Sequence, residues 1–217
     1  GSAAGFSFMD FVSNLTLVVA VILIAVLAVM VLFFRKKLAT TAEKMKEAAN
    51  IDNTHTITDV PLMVRSMIVL ALVILGFVTH DITHIETCVA AMLGASFLLL
   101  FEKPTDILRD VEWNTIFFFI GLFVMVYGLE VTGIKLMAEW ILRVTQGSQE
   151  AASMLILWAS GIISGIIDNI PYTATMSPML VEIQKTMGAD YTTPLWWCLS
   201  LGACLGGNMT MIGAAAN

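Results

Sequence analysis

The chain has 217 residues, of which 58% are hydrophobic and 13% charged, with a formal charge of −6 and a mean hydropathy of +0.87. Soluble domains have roughly a quarter of their residues charged, so this composition excludes an ordinary soluble domain and specifies an integral membrane protein built from helices. No run of like charge and no basic face accompanies the acidic balance, which excludes a nucleic-acid partner and leaves the net charge uninformative about any other.

In chain order, residues 15–34 (LTLVVAVILIAVLAVMVLFF) are 20 uncharged positions. At ~1.5 Å per residue they match the hydrocarbon core. Arg35, Lys36 and Lys37 follow, and then an amphipathic segment (AEKMKEAA) and a polar loop (NIDNTHTITD). The opening lacks a basic n-region before its apolar run, so it does not read as a signal peptide. Residues 63–79 and 87–101, joined by HDITHIE, predict a tight transmembrane hairpin. EKPTDILRDVEWN leads to a fourth span over residues 113–129, which grades through Gly133 into an amphipathic stretch with Lys135, Glu139 and Arg143. If the first span ends in the cytoplasm, that side holds Arg35, Lys36, Lys37, Lys44, Lys46, Arg65, Lys103 and Arg109, and the other only Lys135, Arg143 and Lys185. That bias orients the chain by the positive-inside rule.

The last third departs from simple spans. Residues 151–167 are apolar, DNIP interrupts them, residues 172–187 resume with Glu182 and Lys185 near their end, and residues 194–205 stop at GGN. An arm of about 15 residues reaches about 22 Å, short of the hydrocarbon thickness. The pattern predicts a re-entrant hairpin over about 151–187 with DNIP at its tip, then a half helix and an unwound loop over 194–217. Irregular backbone inside a bilayer is tolerated only where protein buries it or a wet cavity solvates it. Pro171 removes a helical hydrogen bond, and Gly206 and Gly207 permit unusual backbone. Freed carbonyls and half-helix ends can then bind ions. Asp168 is the carboxylate nearest the middle of an apolar segment, at a cost of about 2.5 to 3.5 kcal/mol. It is the leading candidate for function. A structural alternative stands beside it: Asp168 caps the helix that begins around Pro171, and the glycines serve close helix packing.

Other features carry less. His80, Asp81 and His84 have a metal-like spacing but read as a solvated turn. Glu86 and Glu130 lie near span ends, and Trp113, Trp140, Trp196 and Trp197 lie near boundaries, as an aromatic belt would. Fourteen Met fill gaps between helices. Cys88, Cys198 and Cys204 lack a CxxC spacing and read as small apolar packing residues, giving no metal site and no disulfide framework. No second membrane Asp pairs with Asp168 as an aspartyl protease requires, and no P-loop or GxSxG occurs, so no enzyme is expected.

The stretches EWNTIFFFIGLFVMVYGLE, SGIIDNIPYTATMSPML and LGACLGGNMTMIGAAAN resemble the arsenite-permease / Na+/H+-antiporter branch of the ion transporter superfamily, which includes relatives of the melanosomal P protein. The resemblance extends over essentially the whole chain. It implies two inverted repeats, each with a re-entrant hairpin and a discontinuous helix, with substrate and cations held between them. Carried onto this sequence, Asp168, Asn169 and Thr173 form the hairpin tip, and Gly207, Asn208, Thr210 and Asn217 form the unwound segment facing it. Pro171, Gly206 and Gly213 set the geometry of hairpin and loop. Two positions depart from the family pattern, which often has Gly where Met209 stands and Ser where Ala215 stands. Family members are roughly twice as long. The expected organisation is therefore a fragment: residues 1–62 are the first transmembrane helix and a cytoplasmic inter-repeat linker, and residues 63–217 are most of the second repeat.

The resemblance implies a secondary active transporter of a bacterial inner membrane, moving an inorganic ion or small anion with H+ or Na+. Na+/H+ exchange and arsenite or anion permeation lead, with a citrate or dicarboxylate carrier as the alternative and a non-transporting assembly role as another. Asp168 would alternate between proton-bound or Na+-bound and empty states, with oxygens of Asn169, Thr173, Asn208 and Thr210 as further ligands. No cofactor is expected. The expected partners are membrane lipid, the transported ion, the missing first repeat and a second copy in a homodimer.

Overall fold

The computed structural model describes residues 2–38, 44–46, 59–101, 108–109, 111–211 and 213–214. The described residues are helical, with no strand among them. Asn217, Ala215, Lys103 and most of the linker at 39–58 lie outside them. Two compact units divide the chain: residues 6–111, and residues 112–217 together with 1–5.

In the first unit, α1 (Phe8–Leu38) begins seven residues before the apolar run. Its start is fixed by a reciprocal cap, in which Asp10 N–H donates to Ser7 Oγ at 3.1 Å and Ser7 N–H donates to Asp10 Oδ2 at 2.9 Å. Arg35, Lys36 and Lys37 close its last turn, where cations suit the helix dipole. α2 (Val60–Val78) starts on Asp59, whose carboxylate accepts from Leu62 N–H at 2.9 Å, with Pro61 in the first turn. α1 and α2 are each long and apolar enough to cross a bilayer. The HDITHIE link folds as a single turn, α3 (His80–Thr83). It ends with His84 in the left-handed region at φ 54° and His80 Nδ1 2.7 Å from Ile85 O. α4 (Thr87–Leu99) then returns along α2 with Gly94 seated on Val69 and Val73 and Gly76 opposite Ala90. This is the predicted hairpin. No group of His, Cys, Asp and Glu among the described residues could hold a metal.

The second unit holds α5 (Trp113–Thr132), α6 (Ile134–Val144), α7 (Gln149–Ser164), α8 (Asn169–Met187) and α9 (Ala189–Gly207). α6 is amphipathic and turns Ile134, Ala138 and Ile141 inward. The centre of the unit is the packing of α7, α8 and α9, where Ile156, Met179, Leu180, Ile183, Leu195 and Leu199 are fully buried. Trp196, expected at a boundary, is buried and donates its indole N–H to Gln184 Oε1 at 3.4 Å. Trp113 and Trp140 remain exposed.

α9 begins at Ala189, five residues before the expected Pro194. Proline has no N–H for the carbonyl four residues back, which here is Asp190 O. Gln149, in the first turn of α7, supplies the missing donor: its Nε2 lies 2.9 Å from Asp190 O and 3.1 Å from Tyr191 O. A side chain 41 residues away thus carries the helix through its proline.

Candidate ion-binding site

The hairpin tip is built by ordinary helix-terminus chemistry. α7 ends at Ser164, and Ile166 and Ile167 close a last turn by donating to Ile163 O at 3.0 and 2.9 Å. Asp168 then caps α8, accepting from Ile170 N–H through Oδ1 at 2.9 Å. Its carbonyl accepts from Tyr172 N–H at 3.3 Å. Pro171 stands third in α8, where a missing N–H costs nothing within the helix. DNIP is therefore a helix start, and the capping role foreseen as the structural alternative is realised at Asp168. A cap uses one lone pair of one carboxylate oxygen, and an ionised carboxylate has about four acceptor sites, so capping leaves the group able to meet a cation.

The described residues after α9, 208–211 and 213–214, are pinned onto that tip. Asn169 N–H donates to Gly213 O at 3.2 Å, and Thr210 Oγ1 donates to Gly165 O at 2.5 Å, which caps the end of α7. The approach is close enough to need glycine. A Cβ on Gly213 would stand 2.6 Å from Gly207 O, 3.0 Å from Ser164 O and 3.2 Å from Gly165 O. A Cβ on Gly207 would meet Gly213 O at 2.9 Å, with Asn169 Nδ2 at 3.5 Å. Gly207 O, Ser164 O and Gly165 O thus surround Gly213, whose own carbonyl accepts from Asn169 N–H.

Of the residues singled out in the sequence, Asp168, Asn169, Pro171, Gly207, Thr210 and Gly213 are brought to this junction. Asn208 turns away, donating through Nδ2 to Cys204 O of its own helix at 2.9 Å. Thr173 lies on the next turn of α8, its carbonyl accepting from Ser177 Oγ at 2.7 Å. Gly206 and Gly207 both sit inside α9 rather than in the loop, with Gly207 as its last residue. Met209 packs on Gly165, 3.0 Å from a Cβ there.

The alternative read for the glycines, close helix packing, is realised at Gly206, which lies on Gly161; the partner face on α7 was not foreseen. α7 and α9 run parallel in a four-residue register, with Gly202 over Leu157 and Ser160, and Gly206 over Gly161. A Cβ on Gly202 would lie 2.5 Å from Leu157 O. Ser164 Oγ donates to Ala203 O at 2.7 Å, and Ser160 Oγ and Tyr172 Oη are hydrogen-bonded at 3.1 Å, both serines fully buried. The spacings Ser160–Ser164, Gly161–Gly165 and Gly202–Gly206 are the small-xxx-small signal that would have found it.

A helical membrane chain with a hairpin, and a helix whose trailing loop is fastened to the hairpin tip, fits the construction of secondary transporters. The chain belongs to the citrate transporter family CitMHS, whose model matches residues 1–216. It is 42% identical over 220 residues to an uncharacterized transporter of Mycobacterium tuberculosis, covering 100% of this chain and 51% of that protein. It is 37% identical over 220 residues to a 46 kDa membrane protein of Mycobacterium leprae, with the same coverage. The P protein of Homo sapiens is 35% identical over 180 residues, which are 77% of this chain and 22% of that protein. The chain spans about half the length of the mycobacterial relatives. No solved structure matches it.

Proposed function

We propose that this chain forms part of a secondary active transporter of the plasma membrane, in which the junction of the α7–α8 tip and the residues after α9 holds the coupling cation, H+ or Na+. The observation that carries the reading is the fastening of loop to tip beside a carboxylate, through Asn169 to Gly213 and Thr210 to Gly165. The first-turn donors of α8 already have acceptors: Gly213 O takes Asn169 N–H, Asp168 Oδ1 takes Ile170 N–H, and Asp168 O takes Tyr172 N–H. An anion would find no free donor among them and a carboxylate beside them, so the chemistry favours a cation. Asp168 is the charged ligand, with backbone carbonyls and the side chains of Asn169, Thr173, Asn208, Thr210 and Asn217 as the further oxygen donors drawn in on binding.

The carried species in this reading is a small organic anion, for which the description of the matching family as citrate transporters speaks. The arsenite-permease and Na+/H+-antiporter resemblance supplies the competing substrates. The test is vesicle uptake by this chain and by a full-length family member carrying the same motifs, with citrate, arsenite and Na+-driven proton movement measured in parallel. Citrate uptake that loses its dependence on the ion gradient in Asp168→Asn supports the assignment. Full, normally ion-dependent uptake in that variant overturns it.

A further inference from the structure

A second polar feature lies away from the junction. Where α5 gives way to α6, a cavity of about 400 Å³ lies against the second half of α8, lined by Lys135, Glu182 and Lys185 with four apolar residues of α5, α6 and α8 between them. That volume falls within the roughly 300–1,000 Å³ of small-molecule sites. Two ammonium groups from different helices and one carboxylate face the same space. Lys185 Nζ and Glu182 Oε2 form an ion pair at 2.9 Å, with the Lys185 side chain 68% exposed and that of Glu182 22% exposed. Lys135 has no ion pair among the described residues. The cavity thus has a net positive charge of about one elementary unit, with Lys185 only loosely held, because exposed pairs of this kind are worth about 0–1 kcal/mol.

The position is as informative as the charge. The α8 lining runs from Pro178 to Lys185, so about 14 to 24 Å of helix separates its groups from Asn169 at the cation junction. The cavity cannot belong to the same coordination shell. It sits at the end of α5 with the Lys185 side chain exposed, and positive walls in such a cleft raise the local concentration of anions.

We infer that the Lys135–Glu182–Lys185 cavity is an entry subsite for a polycarboxylate anion, and this rests on the organic-anion reading above. Lys135 supplies a standing charge. Glu182 holds Lys185 until a carboxylate of the incoming anion displaces it, so Glu182 limits affinity and eases release. The shared chemistry is an oxyanion, and an anionic lipid headgroup has it too; the exposed Lys185 and the polar walls favour a soluble solute, because the space has little apolar surface for an acyl chain.

The experiment is titration of citrate, with acetate as the single-charge control, into the full chain in nanodiscs of neutral phosphatidylcholine. Lys135→Gln should weaken citrate binding roughly fivefold, the scale of one solvent-exposed charge contact, and Lys135→Arg should restore it. Glu182→Gln should tighten binding by a similar factor, an outcome that loss of folding cannot imitate. Acetate should bind feebly in all of them. Unchanged citrate affinity in both Lys135→Gln and Glu182→Gln overturns the inference. So does citrate binding that is absent in neutral discs while phosphatidylglycerol binding depends on Lys135, which would make the cavity a lipid site. Asp168→Asn separates the two readings: citrate binding in the discs should survive it even where ion-coupled uptake fails.

Discussion

Gly206→Ala is the substitution whose consequence the structure defines most sharply. A Cβ at this position would fall well inside 3.0 Å of the Gly161 O, C and Cα atoms, and all three are backbone of α7. A flexible side chain could rotate aside, but a helix backbone cannot, so α7 and α9 must separate by about an ångström or tilt. Overpacking of this kind costs typically 1–3 kcal/mol. Because α9 leads directly into the loop, separation also pulls on Asn169 N–H···Gly213 O at 3.2 Å and Thr210 Oγ1···Gly165 O at 2.5 Å, each worth roughly 1 kcal/mol. The expected total is about 2–4 kcal/mol. For a chain of 150–250 residues each kcal/mol moves Tm by about 2–4 °C, so Gly206→Ala should melt roughly 5–15 °C lower in detergent, followed by tryptophan fluorescence. Gly128→Ala is the control, since nothing lies within 4 Å of a Cβ there. Equal melting of the two variants would refute the close parallel packing of α7 on α9.

Three further outcomes are expected. Asp168→Asn keeps an acceptor for Ile170 N–H and should melt like the parent, whereas Asp168→Ala loses the cap and should lose about 0.5–2 kcal/mol of stability; equal stability of the two by chemical denaturation would deny the capping geometry. Thr210→Val removes the hydroxyl that caps Gly165 O, so amide exchange around residues 208–211 and 213–214 should quicken about fivefold, as loss of roughly 1 kcal/mol predicts, and unaltered exchange would mean the loop is held by other contacts. Gln149→Ala leaves Asp190 O and Tyr191 O without their shared donor. Water reaches part of that site, so the loss should be near the lower end of about 0.5–1.5 kcal/mol, with faster exchange at the start of α9, and none of either would discount the side chain's role there.

Within one element the sequence was close to sufficient. Hydropathy located the first spans, and the cap at Asp168 before Pro171 was foreseen as an alternative; the Ser7–Asp10 box and Asp59, which start α1 and α2, are equally local signals that the hydropathy reading passed over. The break at DNIP and the polar loop after Gly207 were visible because they are local too. α9 was misplaced at its start because Gln149, which rescues the Pro194 break, is 41 residues from Asp190, and no local pattern encodes that contact.

What the sequence by itself determined is the composition of a membrane protein, the order of its helices and the two places where helical backbone must stop, since these follow from transfer energy and from single-residue constraints on φ and hydrogen bonding. What only the tertiary structure decided is which of those interruptions touch. Gly165 and Gly213 meet through Thr210 and the tip backbone, Asn208 turns back to Cys204, and Lys135 shares a cavity with Glu182 and Lys185. The physical reason is that α7 and α9 approach closely enough to require glycine at 202 and 206, and such an approach belongs to a pair of helices, so neither helix's sequence contains it alone.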